Sequence, residues 1–287
     1  MYRTFVRPAS SQGWSTADWV EWVRAEGLLL DVRPDIPGGV CDTCWGGTGV
    51  RSELPLLVED SAGRKVVELR KVRWPRCYNC NEYGVLDGVL AISYSTHDRL
   101  ESAIWYAKND GPVNRWLNLP LGSLLHEFLR MHLLCMERVW GRIDFITPLP
   151  SHPETRDGWD HLKHLVDCVP RAVADRWTFT LLEKTEPVRA RSHRADPIDG
   201  LFRIVPNSAS LVGKRVLLVD DTFTSGSTLR SAGREIVAAG GKPPIALTIG
   251  RQVRSDNFGA HIVDDAMVRT PLFDLGRCGV HNRTTVR

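Results

Sequence analysis

Apolar positions recur at helical spacing over residues 15–26, where Trp19, Trp22 and Val23 share a face, Ser15 and Thr16 offer caps, and Gly27 ends the run. Residues 33–49 are rich in Pro and Gly and break that periodicity. Alternating runs at 54–58 and 65–69 then predict short strands. After Tyr83 the texture changes, and residues 97–108 and 123–139 predict longer helices. The second is built on Leu124, Leu125, Phe128, Leu129, His132, Leu133 and Met136. Beyond it strands are expected at 143–147, 178–182, 201–205, 215–219 and 245–249, with helices at 159–168 and 227–239. This alternation predicts an α/β fold, a mostly parallel sheet flanked by helices. A boundary near residue 84 separates an N-terminal part, 1–84, from a larger domain with a C-terminal extension, 85–287.

Composition narrows the class only slightly. With 287 residues, 43% of them hydrophobic and 25% charged, the chain can build a sizeable core. A net charge of +3 tolerates an anionic ligand without the dense basic surface of a dedicated DNA binder. No run approaches the roughly 18–20 apolar residues of a membrane span, and the first residues lack the order of a secretory signal. A cytoplasmic location is the expectation.

The most informative stretch is Val216-Leu217-Leu218-Val219-Asp220-Asp221-Thr222-Phe223-Thr224-Ser225-Gly226-Ser227-Thr228. Four apolar residues predict a buried strand, two carboxylates end it, and a small hydroxylic loop opens the next helix. Parallel sheets bind ligands at that end of their strands. A sugar phosphate needs acceptors for its vicinal hydroxyls and donors for its dianion. Asp220 and Asp221 suit the diol and would concentrate Mg2+. Thr222, Thr224, Ser225, Ser227 and Thr228 carry hydroxyls, Gly226 permits close backbone approach, and the helix start presents N–H groups to phosphate. A turn with a helix cap is the plainer reading of an acidic pair after a strand. A nucleotidase Walker B strand is excluded because G-x-x-x-x-G-K-[ST] occurs nowhere in the chain.

This strand, acidic pair and T-S-G-S-T loop resemble the phosphoribosyl pyrophosphate motif of type I phosphoribosyltransferases. The strand Asp144-Phe145-Ile146-Thr147-Pro148-Leu149-Pro150, followed by Arg156 and Gly158-Trp159-Asp160-His161-Leu162, is similar to the "PVP" and "R-G-F-N" segments of the competence protein F (ComF) family. Residues 191–194 and 199–205 extend the resemblance, and Ile104-Trp105-Tyr106-Ala107-Lys108 is similar to that family's "L-K-Y" segment, with Trp and Ala departing from it. The resemblance implies a phosphoribosyltransferase (a glycosyltransferase) that binds phosphoribosyl pyrophosphate with Mg2+. It places pyrophosphate at Pro150, Ser151 and Arg156, and a mobile catalytic flap at 185–206, with Arg156, Arg191, His193 and Arg194 as candidate clamps. The acceptor is expected in a variable hood formed by residues 85–125 or by the tail after Gly250. The competence resemblance also allows a non-catalytic protein that binds the same ligand and contacts single-stranded DNA or a DNA-processing partner.

Cys41-Asp42-Thr43-Cys44 and Cys77-Tyr78-Asn79-Cys80 are C-x2-C pairs. Two such knuckles fit a closed four-thiolate Zn2+ site, a zinc-ribbon-like module whose role is stability. A dithiol redox pair would need only one of them. Seven cysteines leave Cys135, Cys168 and Cys278 over, the first two read as buried apolar side chains and the last unassigned. His126, His132, His161 and His164 fall in predicted helices as core or surface positions. Tryptophans crowd the front of the chain, where they fill a small core or, beside Arg70, Lys71 and Arg73, stack on single-stranded DNA.

Overall fold

The computed structural model describes residues 5–30, 32, 40–46, 50–59, 61–73, 75–95, 99–109, 111–150, 159–185, 196–206, 208–253 and 273–280. An antiparallel pair comes first, β1 (Val50–Glu59) with β2 (Lys65–Arg73). Four later strands, β3 (Gly88–Ser95), β4 (Phe145–Pro148), β7 (Val216–Phe223) and β8 (Ile245–Gln252), form a parallel sheet in the order β3-β8-β7-β4. Between them β5 (Leu182–Lys184) and β6 (Phe202–Ile204) pair antiparallel at the base of the expected flap. The helices are α1 (Thr16–Ala25), α2 (Tyr78–Glu82), α3 (Arg99–Asn109), α4 (Asn118–Trp140), α5 (His161–Asp167) and α6 (Ser227–Ala238). Among the described residues no helix is long and apolar enough to cross a membrane.

Side chains alternate across the pleat of β7 and sort the core into two layers. Leu217 and Val219 join Ile245, Leu247 and Ile249 of β8 against α3 and α4, while Val216 and Leu218 join Ala246 against Leu229, Ala232 and Ile236 of α6. Cys41, Cys44 and Cys80 belong to that second layer. The cysteine knuckles therefore lie on the α6 face of the sheet.

Three expectations change. Residues 88–95, assigned to a hood over the acceptor, are instead the edge strand β3, an unbroken buried run with no alternation to betray a strand. β7 continues past Val219 to Phe223, because its ladder with β8 goes on, pairing Asp220 with Thr248 and Thr222 with Gly250 after β4 has ended at Pro148. The strand expected at 178–182 begins only at Leu182, and Trp177 instead bridges Ile146 of β4.

The open edge of β3 is covered from the front of the chain. Val89 N donates to Thr43 O (2.8 Å), Tyr94 N to Leu30 O (3.1 Å), and Leu30 N to Ser93 Oγ (2.7 Å), which satisfies backbone groups that would otherwise invite another strand. α1 starts with a capping box between Ser15 and Asp18, worth about 1 kcal/mol. Its Trp19 and Trp22 pack edge-on with Trp14 and Trp116; Trp19 is buried, and Trp22 and Trp116 lie partly buried against the core.

Candidate functional site

The carboxyl edge of the parallel sheet opens into a cleft of about 420 Å³. Leu149 and Pro150 follow β4, Asp220, Asp221 and Thr222 end β7, Thr224 and Thr228 flank the turn, and Gln252 ends β8, all lining it. Lys108, His161 and Lys184 line it as well. Of the expected site, the fold thus brings Pro150, Asp220, Asp221, Thr222, Thr224 and Thr228 to one cavity. Ser225, Gly226 and Ser227 form the turn behind it. Ser151, Arg156, Arg191, His193 and Arg194 lie outside the described residues.

The two acids have different surroundings. Asp221 is buried, 2.5 Å from Lys108 Nζ and 3.6 Å from His161 Nε2. Asp220 faces the cleft, and its Oδ1 accepts from Asp221 N at 2.9 Å. Burial, and next the neighbouring Asp221 carboxylate, push the Asp220 carboxyl up to about 7, with Lys108 pulling the other way. Lys108 closes α3, and His161 opens α5 behind the N-cap Asp160, whose side chain accepts from Lys163 N at 3.0 Å. Sequence reasoning named Lys108 only within the segment similar to "L-K-Y" and read His161 as a core or surface position, and gave neither a place beside Asp221. Lys108 stands 113 residues from Asp221, and no local pattern joins them.

The turn is built for close approach. Gly226 has φ +79°, and a Cβ there would fall 2.5 Å from the Phe223 ring. Gly226, the N-cap of α6, brings no side chain to the first N–H groups, and Ser225 Oγ accepts from Ser227 N at 3.3 Å. Two further hydroxyls of the turn have partners within the protein. Thr224 Oγ1 donates to Gln252 Oε1 at 2.9 Å, and Ser227 Oγ donates to the Asp196 carbonyl, so both hold the loop in place.

Directly beneath this turn sit the cysteines. Sulfurs of Cys41, Cys44, Cys77 and Cys80 all lie within 4.8 Å of one another, and Cys44 and Cys77 are 3.7 Å apart. That matches the separation of about 3.8 Å that Zn–S bonds of 2.3 Å give on a tetrahedron. The hydrogen bond from Cys41, then those from Cys77 and Cys80, hold the Cys44 thiol well below the usual thiol range. Four thiolates on a dication leave two negative charges, and two buried cations face them. Arg230 Nη2 lies 3.5 Å from Cys80 Sγ, and Arg251 Nη2 3.9 Å from Cys44 Sγ. The cluster can therefore hold a structural Zn2+ with its charge balanced.

The same guanidiniums grip the turn. Arg230 Nη1 donates to Ser225 O at 2.6 Å. Arg251 Nη1 donates to Phe223 O (3.2 Å), Thr224 O (3.1 Å) and Gln252 O (2.6 Å), while its Nε donates to Cys44 O at 3.0 Å. Neither arginine pairs with a carboxylate among the described residues. Gly46 makes this reach possible, since a Cβ there would meet Arg251 Nη2 at 2.4 Å. Arg230, a cation in the first turn of a helix where the dipole disfavours one, is the signal in the sequence that could have pointed to this bridge.

No model of a known protein family matches the chain, and no curated protein matches it.

Proposed function

We propose that the chain is a ComF-like phosphoribosyltransferase that binds phosphoribosyl pyrophosphate with Mg2+ and transfers the phosphoribosyl group to a nucleophile. One observation carries this reading: paired carboxylates and the first turn of a helix that follows a left-handed glycine meet at a single cleft at the carboxyl edge of a parallel sheet. Asp220 and Asp221 accept from the ribose hydroxyls, and the amides from Ser225 to Thr228 donate to the 5-phosphate. Mg2+ bound with the substrate would be held by Asp220 or Asp221 together with phosphate oxygens, and would supply charge neutralisation for the departing pyrophosphate.

In the reaction the C1–O bond to pyrophosphate breaks and a bond from C1 to the nucleophile forms. Lys108 holds Asp221 in place through their ion pair. In the family that the chain resembles, the segment corresponding to 185–206 is the flap that keeps water from the cationic sugar; residues 186–195 of it lie outside the described residues. Titration calorimetry is the direct test. Phosphoribosyl pyrophosphate should bind with Mg2+, and replacing both Asp220 and Asp221 by Ala should weaken binding at least about tenfold, a loss of about 1.4 kcal/mol. Unchanged affinity in that folded double variant would sink the reading. Pyrophosphate release across a panel of nucleobases and amines then separates an enzyme from a protein that only binds.

A further inference from the structure

A second cluster of metal-ligating side chains lies apart from the cleft and from the four-cysteine centre. His132 and Cys135 stand one turn apart on α4 and so share a face. Cys278 reaches them from the stretch 273–280, which packs into the same core layer as α4. All three are buried, with exposures of 1%, 8% and 5%. One ligand atom from each lies within 4.8 Å of the others.

The geometry and the chemistry agree on a thiophilic ion. His132 Nδ1 is 3.9 Å from Cys135 Sγ, near the separation of about 3.5 Å that an imidazole and a thiolate have on one zinc. His132 Nε2 donates to the Leu275 carbonyl at 2.7 Å. A carbonyl only accepts, so the proton sits on Nε2 and the Nδ1 lone pair points toward the thiols. This second hydrogen bond is the one that orients metal-bound histidines. Charge fits too. A dication with two thiolates and a neutral imidazole is neutral overall, which suits a site walled by Phe128, whose ring is 4.7 Å from His132. The four-thiolate centre, by contrast, is charged and has its two arginines. The sequence also repeats the spacing on both sides, His132-x2-Cys135 and Cys278-x2-His281, although His281 lies outside the described residues.

We propose that His132, Cys135 and Cys278 form a second zinc site, which ties the C-terminal stretch to α4. On binding, the two thiols release their protons to solvent and their sulfurs take up the ion. Native mass spectrometry and elemental analysis of the full chain, purified without added metal, test this. Two zinc ions per wild-type chain are expected, and folded Cys278→Ser should hold one. Cobalt substitution should give Cys278→Ser a purely four-thiolate spectrum. A wild-type chain with a single zinc overturns the proposal, even where the variant fails to fold. So does a folded Cys278→Ser that still holds two, or a Cys135–Cys278 disulfide in place of metal.

Discussion

Asp220 titrates far from the ordinary carboxylate range. Its carboxyl is raised from an ordinary value of 3.8 to about 7, so between these limits the folded chain binds more protons than the unfolded one. Stability linked to Asp220 is therefore full below about pH 4 and is lost as pH rises through about 7. Asp220→Asn, which mimics the protonated acid, should change the melting temperature least at pH 4 and raise it most at pH 8. A relief of about 1 kcal/mol, allowing for screening at a cleft open to water, corresponds to roughly 2 °C. Equal shifts at both values would overturn this assignment. The same residue should make ligand affinity rise with pH through neutrality, since the ionised acid is the better partner for the diol and its Mg2+. Gly226 sets a second expectation. Gly213 shares its left-handed φ, at +68° against +79°, but has open space where Gly226 meets Phe223. Gly213→Ala should then cost about 1–2 kcal/mol from the backbone alone, and Gly226→Ala should cost more and weaken sugar-phosphate binding as well. Urea unfolding of the two variants compares them directly.

At the scale of elements, β7, its turn and α6 act as one unit with the end of β8, because Arg251 links the carbonyls of Phe223, Thr224 and Gln252 to Cys44. Arg251→Lys keeps the charge but loses the planar fork that serves these acceptors together. Stranded buried carbonyls cost about 1–3 kcal/mol each, so a loss of about 2–4 kcal/mol in urea is expected, with sugar-phosphate affinity falling although the residue lines no part of the cleft. Intact affinity in the folded variant would show that the turn holds its own shape. Much of this unit was readable beforehand, since the apolar run from Val216, the acids and the hydroxylic turn are consecutive in the chain. The paired C-x2-C spacing was equally plain. What was not readable came from non-local packing. β3 hid because burial on both faces erases alternation, Lys108 meets Asp221 across 113 residues, and Arg230 and Arg251 gain their partners only once the knuckles lie on the α6 face.

For the whole molecule, the cysteine centre and the ligand cleft are mechanically one object. The knuckles pair with the edge of β3 through Thr43 and Val89, share a core layer with α6, and present their sulfurs to the arginines that hold the turn between β7 and α6. Without an ion Cys77 and Cys80, whose thiols are pushed up by their cysteine neighbours and burial, regain protons, which leaves the buried Arg230 guanidinium beside Cys80 uncompensated in an apolar layer, a situation that costs several kcal/mol. Relaxation has one easy route: the arginine shifts, and the turn shifts with it. Stripping zinc with a strong chelator, then removing the chelator before Mg2+ is added, should lower the melting temperature and sugar-phosphate affinity together, and zinc should restore both. An independent stabilising module would behave differently, losing its own structure while the cleft kept its affinity. Calorimetry and thermal unfolding on the same stripped sample distinguish the two, because coupling through Arg230 and Arg251 requires that affinity return in step with bound zinc.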